Sequence, residues 1–130
     1  MKNLLKVLLL ISIVSFMSVS ATQAQSAGKP AKLRHVVLFK FKDSSTPDDI
    51  KKVEEAFAGL ARNLKLIKDY EWGINVSPEN LNQGLTHCFF VTFESAEDRD
   101  AYLVHPEHKA FGKVLGPHLD KVTVVDYWAK

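Results

Sequence analysis

From Leu33 onward, apolar and polar residues repeat with two different periods, and the changes of period mark out the elements. Leu33, His35, Val37, Phe39 and Phe41 occupy every second position of Leu33–Lys42, as in a strand with one buried face. Arg34, Val36, Leu38, Lys40 and Lys42 make its mixed second face. Asp43-Ser44-Ser45 predicts a turn. Thr46-Pro47-Asp48-Asp49 then offers an N-cap, a proline at the first helical position and acids against the positive end of the helix dipole. Ile50, Val53, Phe57, Leu60, Ala61 and Leu64 follow at three- and four-residue spacing, which is one apolar helix face.

Tyr70–Val76 predicts a second strand, with Trp72, Ile74 and Val76 in phase. The turn-rich stretch Ser77–Gly84 follows, and Gly84 is expected in a conformation that other residues avoid. Leu85–Glu94 alternates again, with His87, Phe89, Val91 and Phe93 on one face. Ser95-Ala96-Glu97-Asp98 resembles a capping box and predicts a short helix reaching about Val104. Pro106 predicts a fresh helical start and Gly116-Pro117 its end; Lys121–Trp128 completes the pattern as a fourth strand.

The order is β-α-β-β-α-β with the second helical region broken in two. It predicts an α+β, ferredoxin-like split βαβ fold, an antiparallel sheet carrying its helices on one face. The other face holds Val36, Leu38, Phe90 and Val125 and needs cover of its own. A second copy of the same sheet supplies it, so a homodimer is expected.

The first 24 residues have a different pattern. Lys2 and Lys6 precede a run, Val7–Met17, that is apolar apart from Ser12 and Ser15. Small and polar residues follow, with a cleavage site expected at Thr22-Gln23-Ala24. The run falls short of the roughly 20 residues of a membrane span. We read 1–24 as a signal peptide of bacterial proportions, 25–32 as a flexible leader and 33–130 as the domain. The expected location is periplasmic or extracellular, with no membrane attachment once the signal is removed. Removing Lys2 and Lys6 leaves 15 basic residues against 15 acidic ones, a balance that argues against a nucleic-acid or anionic-membrane binder. The single cysteine, Cys88, sits in an apolar run and reads as a small buried hydrophobe.

The candidate chemistry is histidine-rich. His35 and His87 sit on the apolar faces of two strands that this topology makes neighbours, near opposite ends of one sheet face. His108 is in helical phase with Phe111 and Leu115, so it faces the sheet, and Tyr102 lies inward on the preceding short helix. His105, just before Pro106, is a candidate helix N-cap, and His118 reads as a surface residue. Each buried imidazole is costly unless bonded, so several on one small core point to a polar pocket as well as to packing. No metal site is expected: His105-x-x-His108 has a usable spacing, but Pro106 interrupts it. No glycine-rich phosphate loop or nucleophile elbow appears, and no cofactor is expected.

His35-Val-Val-Leu-Phe-Lys-Phe-Lys42, Trp72-Gly73, Gly84-Leu-Thr-His87, Val91-Thr-Phe-Glu-Ser95, Tyr102-Leu-Val-His-Pro-Glu-His108 and Asp126-Tyr127 together resemble the stress-responsive A/B barrel (Dabb) domain family over Leu33–Trp128. The resemblance implies a dimeric α+β barrel. A cofactor-free cyclase of that family, which folds a linear polyketide by aldol chemistry, implies His108 as general base and Tyr102 as the residue that orients the reacting group. It also implies His35 and His87 as pocket residues, and it places a pocket tyrosine where this chain has Phe57. The expected ligand is a small apolar carbonyl or polyketide-like compound, and the expected reaction is proton abstraction beside a carbonyl. The other reading is a non-catalytic, stress-associated binding or structural protein.

Overall fold

The computed structural model describes residues 31–130. The expected signal peptide at 1–24, and the leader up to residue 30, lie outside the described residues. The elements run β1 (Leu33–Phe41), α1 (Pro47–Asn63), β2 (Asp69–Ile74), β3 (His87–Phe93), α2 (Ala96–Val104), α3 (Pro106–Leu115) and β4 (Leu119–Trp128). The four strands form one antiparallel sheet in the order β2-β3-β1-β4, the ferredoxin-like arrangement with its second helical segment split.

Local chemistry starts and stops the helices. Thr46 Oγ1 accepts from the Asp49 N–H at 3.2 Å while the Thr46 N–H donates to Asp49 Oδ2 at 3.1 Å, a complete capping box. At the head of α2 Ser95 Oγ accepts from the Asp98 N–H at 3.0 Å, so this end carries the hydroxyl half of the motif. His105 is extended, closes α2 and caps α3, its Nδ1 accepting from the Glu107 N–H at 3.1 Å. Pro106 then opens α3, where its missing N–H costs nothing.

The core lies between the helices and one sheet face. Val37, Phe39, Phe89, Val91 and Phe93 meet Val53, Phe57 and Leu60 of α1, and Tyr102, Phe111 and Leu115 pack over them. Phe57 stands at the centre, its ring centroid 4.5 Å from Phe89 and 4.7 Å from Phe111. Truncating such a side chain to Ala costs about 3–5 kcal/mol.

Three strand boundaries differ from the sequence reading by two residues. β2 stops at Ile74, and Val76, expected in the strand, is 92% exposed in the connection. β3 starts at His87 instead of Leu85, and β4 starts at Leu119 instead of Lys121, where Phe41 pairs with Leu119 across an irregularity in the ladder. Gly84 has φ of +80°, and a Cβ there would meet the Lys40 stem at 3.0 Å. Cys88 lies half-buried on the sheet face away from the helices, so it is less enclosed than the apolar run suggested.

The edge strand β4 creates an opening. Val124 pairs with Val37 and Val122 with Phe39, so both valines point to the helix side, where directly opposed residues share a face. Each is nonetheless half exposed. A hollow remains over β1 and β4 beside α2 and α3.

Candidate functional site

The hollow has a volume of about 290 Å³ and mostly apolar walls, with four polar side chains on it: His35, Tyr102, His108 and Asp126. Phe39 and Phe57 are among its apolar walls. Of the residues singled out in the sequence, His35, Phe57, Tyr102 and His108 therefore come together, and His87 does not line this space.

His108 is held by the break between α2 and α3. Its Nδ1 lies 3.2 Å from the Leu103 carbonyl oxygen. A carbonyl can only accept, so Nδ1 carries the proton and Nε2 is the atom with a free lone pair. Burial lowers the proton affinity of this imidazole; the hydrogen bond to the Leu103 carbonyl opposes it in part, and His35 nearby adds a smaller lowering. The Tyr102 ring is 4.4 Å from His108 centroid to centroid and is almost wholly buried. Burial raises the Tyr102 pKa well above the ordinary tyrosine value, with Tyr70 adding to it, so at neutral pH the phenol keeps its proton and serves as a donor.

His35 is the third polar wall. It lies directly across the β1–β4 ladder from Asp126, and its Nδ1 donates to Asp126 Oδ1 at 2.6 Å. Its ring meets Tyr102 edge-on at 5.9 Å. Asp126 Oδ2 accepts from Arg99 Nη1, and Arg99 Nε donates to Asp100 at 2.7 Å. In sequence Asp126 stands in a family motif without a role of its own, and Arg99 is one charged position among several on a short helix. An acid interrupting the apolar run Val124-Val125-Asp126 on a strand was the available signal for the first.

Tyr70 Oη is the fully buried side-chain polar atom left without a partner among the described residues. Nε2 of His35, Nε2 of His108 and the Tyr102 hydroxyl also have no hydrogen-bond partner among the described residues, and the three side chains line the hollow.

His87 has a different setting. Nδ1 pairs with Thr86 Oγ1 at 2.9 Å and Nε2 with Glu54 Oε1 at 3.0 Å, and the ring stacks on Trp72 at 6.2 Å. In the β1–β3 register it opposes Phe39, four positions from His35. The aromatic wall of Phe39 and Phe57 therefore stands on the hollow and His87 lies off it. His105 is occupied as a cap, and His118 Nδ1 lies 3.2 Å from Ser45 Oγ. Among the described residues no group of three or more His, Cys, Asp or Glu side chains is placed to hold a metal ion.

This geometry sits on a fold shared with known proteins. A stress-response A/B barrel domain-containing protein of Arabidopsis thaliana is 42% identical over 95 residues, covering 73% of this chain and 87% of the relative. Olivetolic acid cyclase of Cannabis sativa is 34% identical over 95 residues, covering 73% and 94%. Among solved structures, hydroxynitrile lyase from Passiflora edulis superposes with a TM-score of 0.73 at 25% identity, covering 78% of this chain and 96% of that one. A dimeric ferredoxin-like protein from Bacteroides fragilis gives a TM-score of 0.62 at 27% identity, covering 75% and 96%. The model of the stress-responsive A/B barrel domain matches residues 33–129, and with these relatives it shows that the chain belongs to that family.

Proposed function

We propose that this protein is an exported homodimer whose hollow binds a small apolar carbonyl compound and removes a proton from the carbon beside the carbonyl, without a cofactor. The observation that carries the reading is the tether of His108 Nδ1 to the Leu103 carbonyl, which leaves Nε2 as a base on an imidazole packed beside the Tyr102 ring. The environments of the two groups push them into complementary states, an imidazole kept neutral and a phenol kept protonated.

In the proposed step the C–H electron pair moves into a carbon–carbon double bond and the carbonyl oxygen gains the negative charge. His108 Nε2 takes the proton, and the Tyr102 O–H donates to the enolate oxygen. Return of the proton, or attack of the enolate carbon on a second carbonyl, completes an isomerisation or an aldol reaction. Two relatives named as enzymes, a cyclase and a hydroxynitrile lyase, support a catalytic reading. Export rests on the sequence of residues 1–24. Dimerisation rests on the sheet face that carries Val36, Leu38, Phe90 and Val125 and on structural relatives described as dimeric.

The test is deuterium incorporation from D2O into 4-phenylbutan-2-one, followed by NMR. The wild-type protein accelerates exchange beside the carbonyl. His108→Ala and Tyr102→Phe each lower the rate by about 100-fold or more while remaining folded. Absence of exchange in the wild type, or undiminished exchange in both variants, overturns the reading in favour of a binding protein without chemistry.

A further inference from the structure

Two imidazoles face the hollow, and each is tied through Nδ1, but the tethers differ. His108, on α3, is tied to a main-chain carbonyl five positions back, near the end of α2. His35 is tied to a carboxylate on an edge strand, 91 positions away in sequence. Asp126 is partly exposed, and its own strand is open along its length. A carboxylate at such an edge has several accessible rotamers unless a second contact selects one.

Arg99 supplies that contact. It stands on α2 one turn before Tyr102, and its guanidinium reaches across the rim to the oxygen of Asp126 that His35 does not use. The other side of the guanidinium is held by Asp100. Asp100, Arg99, Asp126 and His35 thus form one hydrogen-bonded chain that joins α2 to β4 and β1. A guanidinium bonds through several fixed N–H directions at once, so it orients its partner as well as neutralising it.

We infer that Arg99, acting through Asp126, is a positioning residue that keeps His35 Nε2 directed into the hollow, and that this makes the site selective for carbonyl ligands bearing a second oxygen function. The inference rests on the reaction proposed above. Tyr102 takes the carbonyl oxygen and His108 takes the carbon-bound proton, so His35 Nε2 is left as the remaining unpaired polar atom on otherwise apolar walls. A ligand with one oxygen leaves Nε2 desolvated and unmatched. A ligand with a hydroxyl or second carbonyl near the first satisfies it. A buried polar group without a partner is penalised far more heavily than one with a weak partner, so the discrimination is expected to be at least tenfold.

The experiment compares 4-hydroxy-4-phenylbutan-2-one with 4-phenylbutan-2-one as exchange substrates, in the wild type and in Arg99→Leu, Arg99→Lys and Asp126→Ala. Long-range proton–nitrogen NMR of the His35 ring is recorded on each protein without ligand. The wild type is expected to show a slowly exchanging Nδ1–H on His35 and to favour the hydroxyketone at least tenfold in kcat/KM. Arg99→Leu and Asp126→Ala are expected to lose both the slow Nδ1–H signal and most of that preference, and Arg99→Lys to restore part of each. An unchanged His35 signal and unchanged preference in Arg99→Leu overturn the inference. A wild type that exchanges neither ketone overturns the proposed reaction. In that event loss of the His35 signal in Arg99→Leu still distinguishes a failed reaction from a failed positioning chain.

Discussion

Tyr102 and His108 are six residues apart and belong to different helices, yet their rings lie 4.4 Å apart. On one continuous helix a six-residue step turns about 240° and climbs about 9 Å, which sends the two side chains to different sides. The extended His105 followed by Pro106 breaks that geometry and folds α3 back so that both rings reach one space. Substituting Pro106 by Ala removes the restriction on His105 and lets helix propagate through the joint. Exchange activity is expected to fall by about tenfold or more with little loss of helical circular dichroism, because the damage is to a relative orientation.

The acid side of the stability profile follows from His108. In the folded chain its proton affinity lies below the ordinary value of 6.5, whereas unfolding restores that value. The unfolded state therefore binds the proton more readily. The stability associated with the neutral ring is fully present above pH 6.5 and is lost as pH falls through the lowered folded value. His108→Gln is expected to show a smaller drop in urea midpoint between pH 7 and pH 5 than the wild type. An equal drop in both proteins rules out this linkage.

His87 is expected to matter for stability and little for turnover. Its two ring nitrogens are bonded to Thr86 and Glu54, and it lines no part of the hollow. His87→Ala leaves Glu54 without its partner and is expected to cost about 1–3 kcal/mol in denaturant unfolding. Exchange of 4-phenylbutan-2-one is expected to stay within about threefold of wild type once the variant is folded.

Tyr70 predicts an effect of the opposite sign. Its hydroxyl is buried without a hydrogen bond, and burial pushes its pKa well above the ordinary tyrosine range. Its ring packs on Phe57 at 5.5 Å, a contact that phenylalanine keeps. Tyr70→Phe is expected to hold or raise stability, by about 1 kcal/mol, as read from thermal unfolding. A clear loss would mean that the hydroxyl has a partner in solution.

The open sheet face gives the test of assembly. Val36 pairs with Val125 and Leu38 with Thr123, so Leu38 and Val125 share the face away from the helices. Leu38→Asp and Val125→Asp are each expected to shift sedimentation from dimer to monomer, since taking a carboxylate out of water between two sheets is costly.

The fold was legible because periodicity is a local property. The alternation through Val37, Phe39 and Phe41, the Thr46-Pro47 start and the Pro106 break each specify their element within a few residues. The pairings at the site are of another kind. Whether His87 meets Glu54 or a ligand depends on how α1 is rotated over the sheet, and the carboxylate that binds His35 comes from the opposite end of the chain. Arg99 reads in sequence as an ordinary charged position on a short helix, and only the β1–β4 register brings Asp126 within its reach. Strand ends were missed for a related reason: Val76 keeps the strand phase but has no ladder left to join.

Phe39 and Phe57 are almost fully buried and line the cleft, so they bound it on the side of the core. A guest of the proposed kind would meet the two phenyl rings on that side, and Val122 and Val124, half exposed at the sheet's bare margin, would take any surplus length. Tail length would then be read outside, where a second subunit or plain water decides whether a long hydrocarbon is welcome.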